Sequence, residues 1–162
     1  MRTFLKKEDT QKYTLGVVYE PDVVDSQGDF AKADAIEKAA WNFMKGIQAK
    51  AKLTADVAKA FTAFVDAVKK GDGEIDITDI LETIRKEDNS GLGLQHGYWG
   101  DELGDIVESF IAPTDMVIGD QTVTKGTWMM GVVWNDTVFQ KVQAGDITGY
   151  SMGGSGTRVE SE

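Results

Sequence analysis

Cysteine is absent from this 162-residue chain. That excludes a disulfide framework and any thiolate metal site, and leaves packing to hold the fold. Histidine is nearly absent, since His96 stands alone. A catalytic zinc generally needs three protein ligands, and the others would all have to be carboxylates, so no metal or other cofactor is expected. Positive charge is scarce as well. Seventeen Lys and Arg face 27 Asp and Glu, a net charge of −10, and the cations are scattered rather than gathered into a patch. Phosphate backbones and anionic membranes are therefore poor partners. No apolar run approaches the roughly eighteen residues of a membrane span, and the opening MRTFLKKEDTQKY lacks the apolar stretch of a signal peptide. These shortages point away from nucleic acid, membrane and export. The length suits one domain that buries roughly two-thirds of its unfolded surface.

What is present falls into two textures. YTLGVVYEP (13–21) is β-branched and aromatic and stops at Pro21, which reads as a strand, and DVVDSQGD then turns. From Lys32 to Met44, Ala35, Ile36, Ala39, Ala40 and Phe43 recur at helical spacing. A second helix is expected from a Thr54 cap through Val57, Ala60, Phe61, Phe64, Val65 and Val68 to Gly71, and a third from Thr78 to about Lys86. NSGLGLQHGYWG closes this helical block. Beyond residue 100 the pattern is that of strands, at 105–112, 115–134 and 146–154. The middle stretch is broken by a Gly119-Asp120 turn and again at Lys125-Gly126. A short helix begins at an Asn135 or Asp136 cap and stops at Gly145. Antiparallel strands with segregated helices indicate an α+β fold, with a curved or barrel-like sheet.

Two stretches invite chemical readings. DGEIDITDILETI resembles the latter half of a calcium loop, but with Gly73 as the turn glycine the first and third ligand positions fall on Val68 and Lys70, which cannot serve a hard cation. A polar connection between helices explains it better. GYSMGG (149–154) has the Gly-x-Ser-x-Gly spelling of a nucleophile elbow, yet that motif needs a following helix and a later histidine. Neither follows Ser151. A serine nucleophile remains available if its base lies upstream, because the triad recurs in different chain orders, and that base could only be His96. Imidazole is the side chain best suited to take a hydroxyl proton near neutral pH. Gly153 and Gly154 could border an oxyanion site, since residues without a β-carbon let substrate approach backbone N–H donors. A serine in an ordinary glycine-rich strand end fits the same letters.

Four blocks in order, VVYEPDVVDSQGDF (17–30), AIEKAAWNFM (35–44), VESFIAPTDMVIGDQTVTKGTWMMGV (107–132) and AGDITGYSMGG (144–154), resemble the XkdF-like serine proteases of prophages. Those are relatives of the prohead maturation proteases of tailed bacteriophages. The resemblance implies a barrel-like sheet ringed by helices, similar to the herpesvirus assemblins, with a histidine on one strand and a serine on a later one. It implies an endopeptidase that cleaves scaffold and capsid delta segments, and often itself, within the procapsid in the cytoplasm of the bacterial host. Scaffold and major capsid protein would be its partners as substrates, and a homodimer is expected because assemblin relatives often need one. Ser151 matches the family serine and His96 the histidine that precedes the VES strand. For the third member the expectation is Glu108, with Asp101, Asp105 and Asp25 behind it. Residues 1–162 then form one protease-like domain, with a helical insertion around 47–90. A reading from another class is an assembly module without catalysis, which keeps the barrel and binds scaffold or capsid protein.

Overall fold

A computed structural model describes residues 4–24, 28–70, 92–94, 98–99 and 103–153. In chain order the elements are β1 (Lys6–Glu8), β2 (Tyr13–Tyr19), α1 (Ala33–Lys70), β3 (Gly93–Leu94), β4 (Tyr98–Trp99), β5 (Gly104–Ile111), β6 (Met116–Ile118), β7 (Gln121–Val123), β8 (Trp128–Trp134) and α2 (Asp136–Ala144). The fold is α+β and its strands pair antiparallel. The chain divides into two compact units, one of Met1–Trp41 with Leu92–Glu162 and the other Asn42–Gly91.

In the first unit, β8 is the organising strand. WMMGVVW is buried at every position but Val133, as expected of a continuous apolar run covered on both faces. It lies between β2 and β5 in a four-stranded sheet of order β1-β2-β8-β5. Among the described residues the expected antiparallel sheet is present but open, with β1 and β5 at its edges, and it does not close into a barrel. The remaining strands make separate two-stranded ribbons, β3-β4 and β6-β7, instead of joining β5 back to β1.

The sheet has two different faces, because neighbouring side chains on a strand point to opposite sides. On one face Val17, Ala112, Val123 and Met129 form a buried apolar cluster, with Leu5, Leu15, Met116 and Ile118 packed against it. The β6-β7 hairpin contributes to this cover. Its loop is Gly119-Asp120, with Gly119 at φ 62°, and glycine at the first loop position is what a type II′ hairpin requires. On the other face Phe4, Trp134 and Tyr150 pack as aromatics, Phe4 edge-on to Tyr150 at 5.0 Å between ring centroids and Trp134 stacked on it at 6.2 Å.

Two irregularities modify the alternation. β2 slips between Val17 and Tyr19, and β5 slips between Ile106 and Glu108. In β5 the extra residue is Val107, 53% exposed. Ile106 pairs with Val132, but Glu108 then pairs with Gly131, so the bulge turns Glu108 to the apolar-cluster side of the sheet. An uninterrupted ladder would have placed it opposite Met130 on the aromatic side.

The helices correct the sequence reading at one point and follow it at another. The break expected before Thr54 does not exist, and α1 runs unbroken for 38 residues. The stretch Gln48–Leu53 is built of Ala, Lys, Gln and Leu, all strong helix formers, so nothing stops the first helix and Thr54 lies inside it rather than at a cap. In the second unit no described side chain of α1 is fully buried. The helix expected at 78–86 lies outside the described residues. In α2, Asn135 is the cap, its side chain accepting from the Val138 N–H at 2.7 Å, and Gly145 ends the helix in the left-handed region at φ 84°. Both ends follow known capping chemistry.

The strand expected at 146–154 is also corrected. Through Gly153 the chain is irregular, and one backbone bond, from the Phe4 N–H to the Thr148 carbonyl at 2.7 Å, ties it to the segment before β1. Strands β1, β3 and β4 were not anticipated; each is only two or three residues long, too short to show a period.

Candidate active site

Ser151 is reached through a sequence of restraints that begins at the end of α2. The Gly145 N–H returns to the carbonyls of Lys141 and Val142, and the N–H groups of Asp146 and Ile147 also bond to Lys141. The chain therefore leaves the helix in a fixed direction. Phe4 then holds Thr148, and Tyr150 locks the end of the segment into the sheet.

The lock is a closed set of hydrogen bonds on the aromatic face. Trp134 Nε1 donates to Thr14 Oγ1 at 2.9 Å, Thr14 Oγ1 lies 2.7 Å from the Tyr150 hydroxyl, and that hydroxyl donates to the Thr14 carbonyl at 3.0 Å. Each hydroxyl carries one proton. Since Tyr150 directs its proton to the carbonyl, Thr14 donates to Tyr150 and receives from Trp134, and every proton has one acceptor. Thr14 is fully buried, so these bonds replace those lost to water. Gly16 makes the fit possible. A β-carbon there would come within 2.9 Å of Tyr150 Cδ2 and 3.1 Å of Phe4 Cδ1. Burial raises the Tyr150 phenol well above its usual pKa, with the Thr14 hydrogen bond acting in the other direction. The hydroxyl is thus a neutral fixture, not an acid-base group. Ser151 follows it and is exposed, as are Met152 and Gly153.

Glu108 stands in a different setting. Its Oε2 accepts from the Tyr13 hydroxyl at 2.7 Å, and the bond passes over Gly131. A β-carbon on Gly131 would lie 2.7 Å from that hydroxyl and 2.8 Å from Glu108 Oε2. The Lys6 ammonium lies 5.8 Å from the Tyr13 ring centroid, close enough for a cation–π attraction. Partial burial, then the bond to Glu108, then the carboxylate charge raise the Tyr13 pKa. By alternation Tyr13 and Thr14 face opposite sides, so Glu108 stands on the sheet face opposite the one where Tyr150 docks.

Of the other residues singled out by sequence, Asp105 is exposed on β5 opposite Val133. His96, Asp25, Asp101 and Gly154 lie outside the described residues. The sequence reading passed over Tyr13, Thr14, Gly131, Trp134 and Tyr150. The one available signal was the position of Tyr150 next to the serine, but nothing in the letters pairs it with Thr14. Among the described residues no three His, Asp or Glu side chains converge as a metal site, and no helix is long and apolar enough to cross a membrane.

This arrangement occurs in a chain that belongs to a family of phage proteins. The family model described as "Putative phage serine protease XkdF" matches residues 1–84 and 76–160, which is nearly the whole sequence. Two curated relatives come from Bacillus subtilis (strain 168). The Phage-like element PBSX protein XkdF is 36% identical over all of this chain and 44% of its own length. The Uncharacterized protein YqbD is 30% identical over all of this chain and 37% of its own length. The chain therefore spans less than half the length of either. No solved structure matches.

Proposed function

We propose that this chain carries a serine endopeptidase of phage capsid maturation, related to the assemblin-like prohead proteases, with Ser151 as nucleophile and His96 as general base. The observation that carries the reading is an exposed serine on an anchored segment, in a chain whose family is described as "Putative phage serine protease XkdF". The substrates in this reading are scaffold and major capsid protein, cut inside the procapsid, and the enzyme can cut its own chain and act as a homodimer.

The chemistry follows from the residue types. The His96 imidazole takes the Ser151 hydroxyl proton as Oγ attacks the scissile carbonyl carbon. The tetrahedral intermediate collapses with cleavage of the C–N bond, and the imidazolium returns its proton to the leaving amine. Water, deprotonated by the same imidazole, then splits the acyl ester and frees the carboxylate product. Backbone N–H groups beside Gly153 would stabilise the oxyanion. Glu108 is assigned the orienting carboxylate. An ionised carboxylate accepts several hydrogen bonds, so its bond to Tyr13 leaves capacity for an imidazole N–H.

The test is labelling by a fluorophosphonate together with cleavage of scaffold protein. Ser151→Ala is expected to abolish both while the fold persists, and His96→Ala to reduce both by about a thousandfold or more. Undiminished cleavage in Ser151→Ala would reject the nucleophile. Unchanged labelling in Glu108→Gln would pass the orienting role to Asp101, Asp105 or Asp25. A native chain that binds scaffold but is never labelled would point to the assembly module instead.

A further inference from the structure

We infer that Tyr150 is the positioning residue of the candidate nucleophile: its side chain, clamped by Thr14, Trp134, Phe4 and Gly16, fixes where the backbone presents Ser151. The inference rests on the protease reading for its chemistry, but its geometry stands separately. From Ile147 to Gly153 the chain has no regular ladder to hold it. Behind the serine, the backbone bond from Phe4 to Thr148 is joined by the Tyr150 side chain, 8% exposed, as the fixed point immediately before it.

The clamp restrains Tyr150 in every direction that matters. The Thr14 carbonyl and hydroxyl fix the depth of the phenol, the Trp134 ring lies along it, and Phe4 meets it edge-on. The approach to β2 is so close that only glycine fits at position 16. A side chain held this way sets the position of its own Cα, and the planar trans peptide keeps the Ser151 Cα about 3.8 Å from it, with the Tyr150 ψ as the one soft dihedral between them. Displacement of a nucleophile by about 1 Å can cost a hundredfold in rate. Tyr150 itself touches no reacting atom in this account. Its work is done before substrate arrives.

The experiment measures saturation kinetics of fluorophosphonate labelling on the full chain, which separates the maximal rate of Ser151 modification from the half-saturating concentration. Tyr150→Phe keeps the ring but releases it from Thr14. Gly16→Ala leaves the phenol intact and pushes the ring from behind. Both are expected to lower the maximal rate at least about tenfold with half-saturation kept within about twofold, at a temperature where each variant is fully folded. Hydrogen exchange at the amides of residues 151–153 should speed up in parallel. A merely structural tyrosine would lower the melting temperature and leave the maximal rate and exchange unmoved in folded protein, and that result overturns the role. Should one variant fail to fold, the other decides. A native chain unlabelled at Ser151 rejects the protease reading, and the positioning role with it; a labelled native chain with unaffected variants rejects the positioning role alone.

Discussion

Tyr13 and Thr14 are neighbours on one strand, yet they belong to two different chemistries. Thr14 lies under Tyr150 and Trp134 in a dry network where each proton has a partner. Tyr13 meets Glu108 at an exposed position. The contrast shows how one strand can serve both stability and a site: one face buries a neutral hydroxyl network, and the other, beyond its apolar cluster, leaves a carboxylate at an exposed position. Buried polar groups carry a large penalty once a partner is lost, whereas exposed ones recover much of it from water.

The comparison can be broken by experiment, and the aromatic face should respond most. Tyr150→Ala removes a buried ring from between Phe4 and Trp134 and is expected to destabilise the fold by about 3–5 kcal/mol in urea unfolding. Thr14→Val keeps the volume but strands the Trp134 N–H and one Tyr150 contact, for a loss of about 1–3 kcal/mol. Alkaline titration gives a third, smaller effect. Both phenols are raised in the folded state, so the stability they contribute is fully present below the ordinary tyrosine value of about 10 and is lost as pH climbs beyond it. Thermal melts should fall with pH above that point, and Tyr150→Phe should flatten the fall. The smallest change belongs to the exposed pair on the other face. A double-mutant cycle of Tyr13→Phe with Glu108→Gln is expected to give a coupling of only about 0.5–1 kcal/mol. A coupling as large as the Thr14→Val loss would erase the distinction between the faces.

Much of this architecture was legible beforehand, where short-range rules decide the outcome. The apolar run of β8, the Gly119-Asp120 loop and the Asn135 and Gly145 caps each depend on residues close in sequence. Thr54 misled because threonine is a good cap only where the helix needs to begin, and the Ala- and Lys-rich segment before it had no reason to stop. The bulge at Val107 was invisible because its cause is the pairing with β8, not the composition of β5. For the site, the letters around Ser151 raised the candidate, while its anchor depended on a threonine 136 positions earlier in the chain. Such a pairing has no local signature.

The slip at Val107 has a consequence for how this family can vary. One inserted residue reverses the parity of everything after it in β5, so Ser109 reaches the Trp128 indole at 3.0 Å while Glu108 is left facing water. Deleting that single valine would close the bulge and let Glu108 follow Ile106 directly, still opposite Gly131, so Glu108 and Ser109 would keep their stations and the strand would lose only its local bend. Pairing Val107 with Gly131 instead would turn Glu108 towards the Trp128 side, so the bulge, as much as the identity of each residue, sets which face the later side chains take.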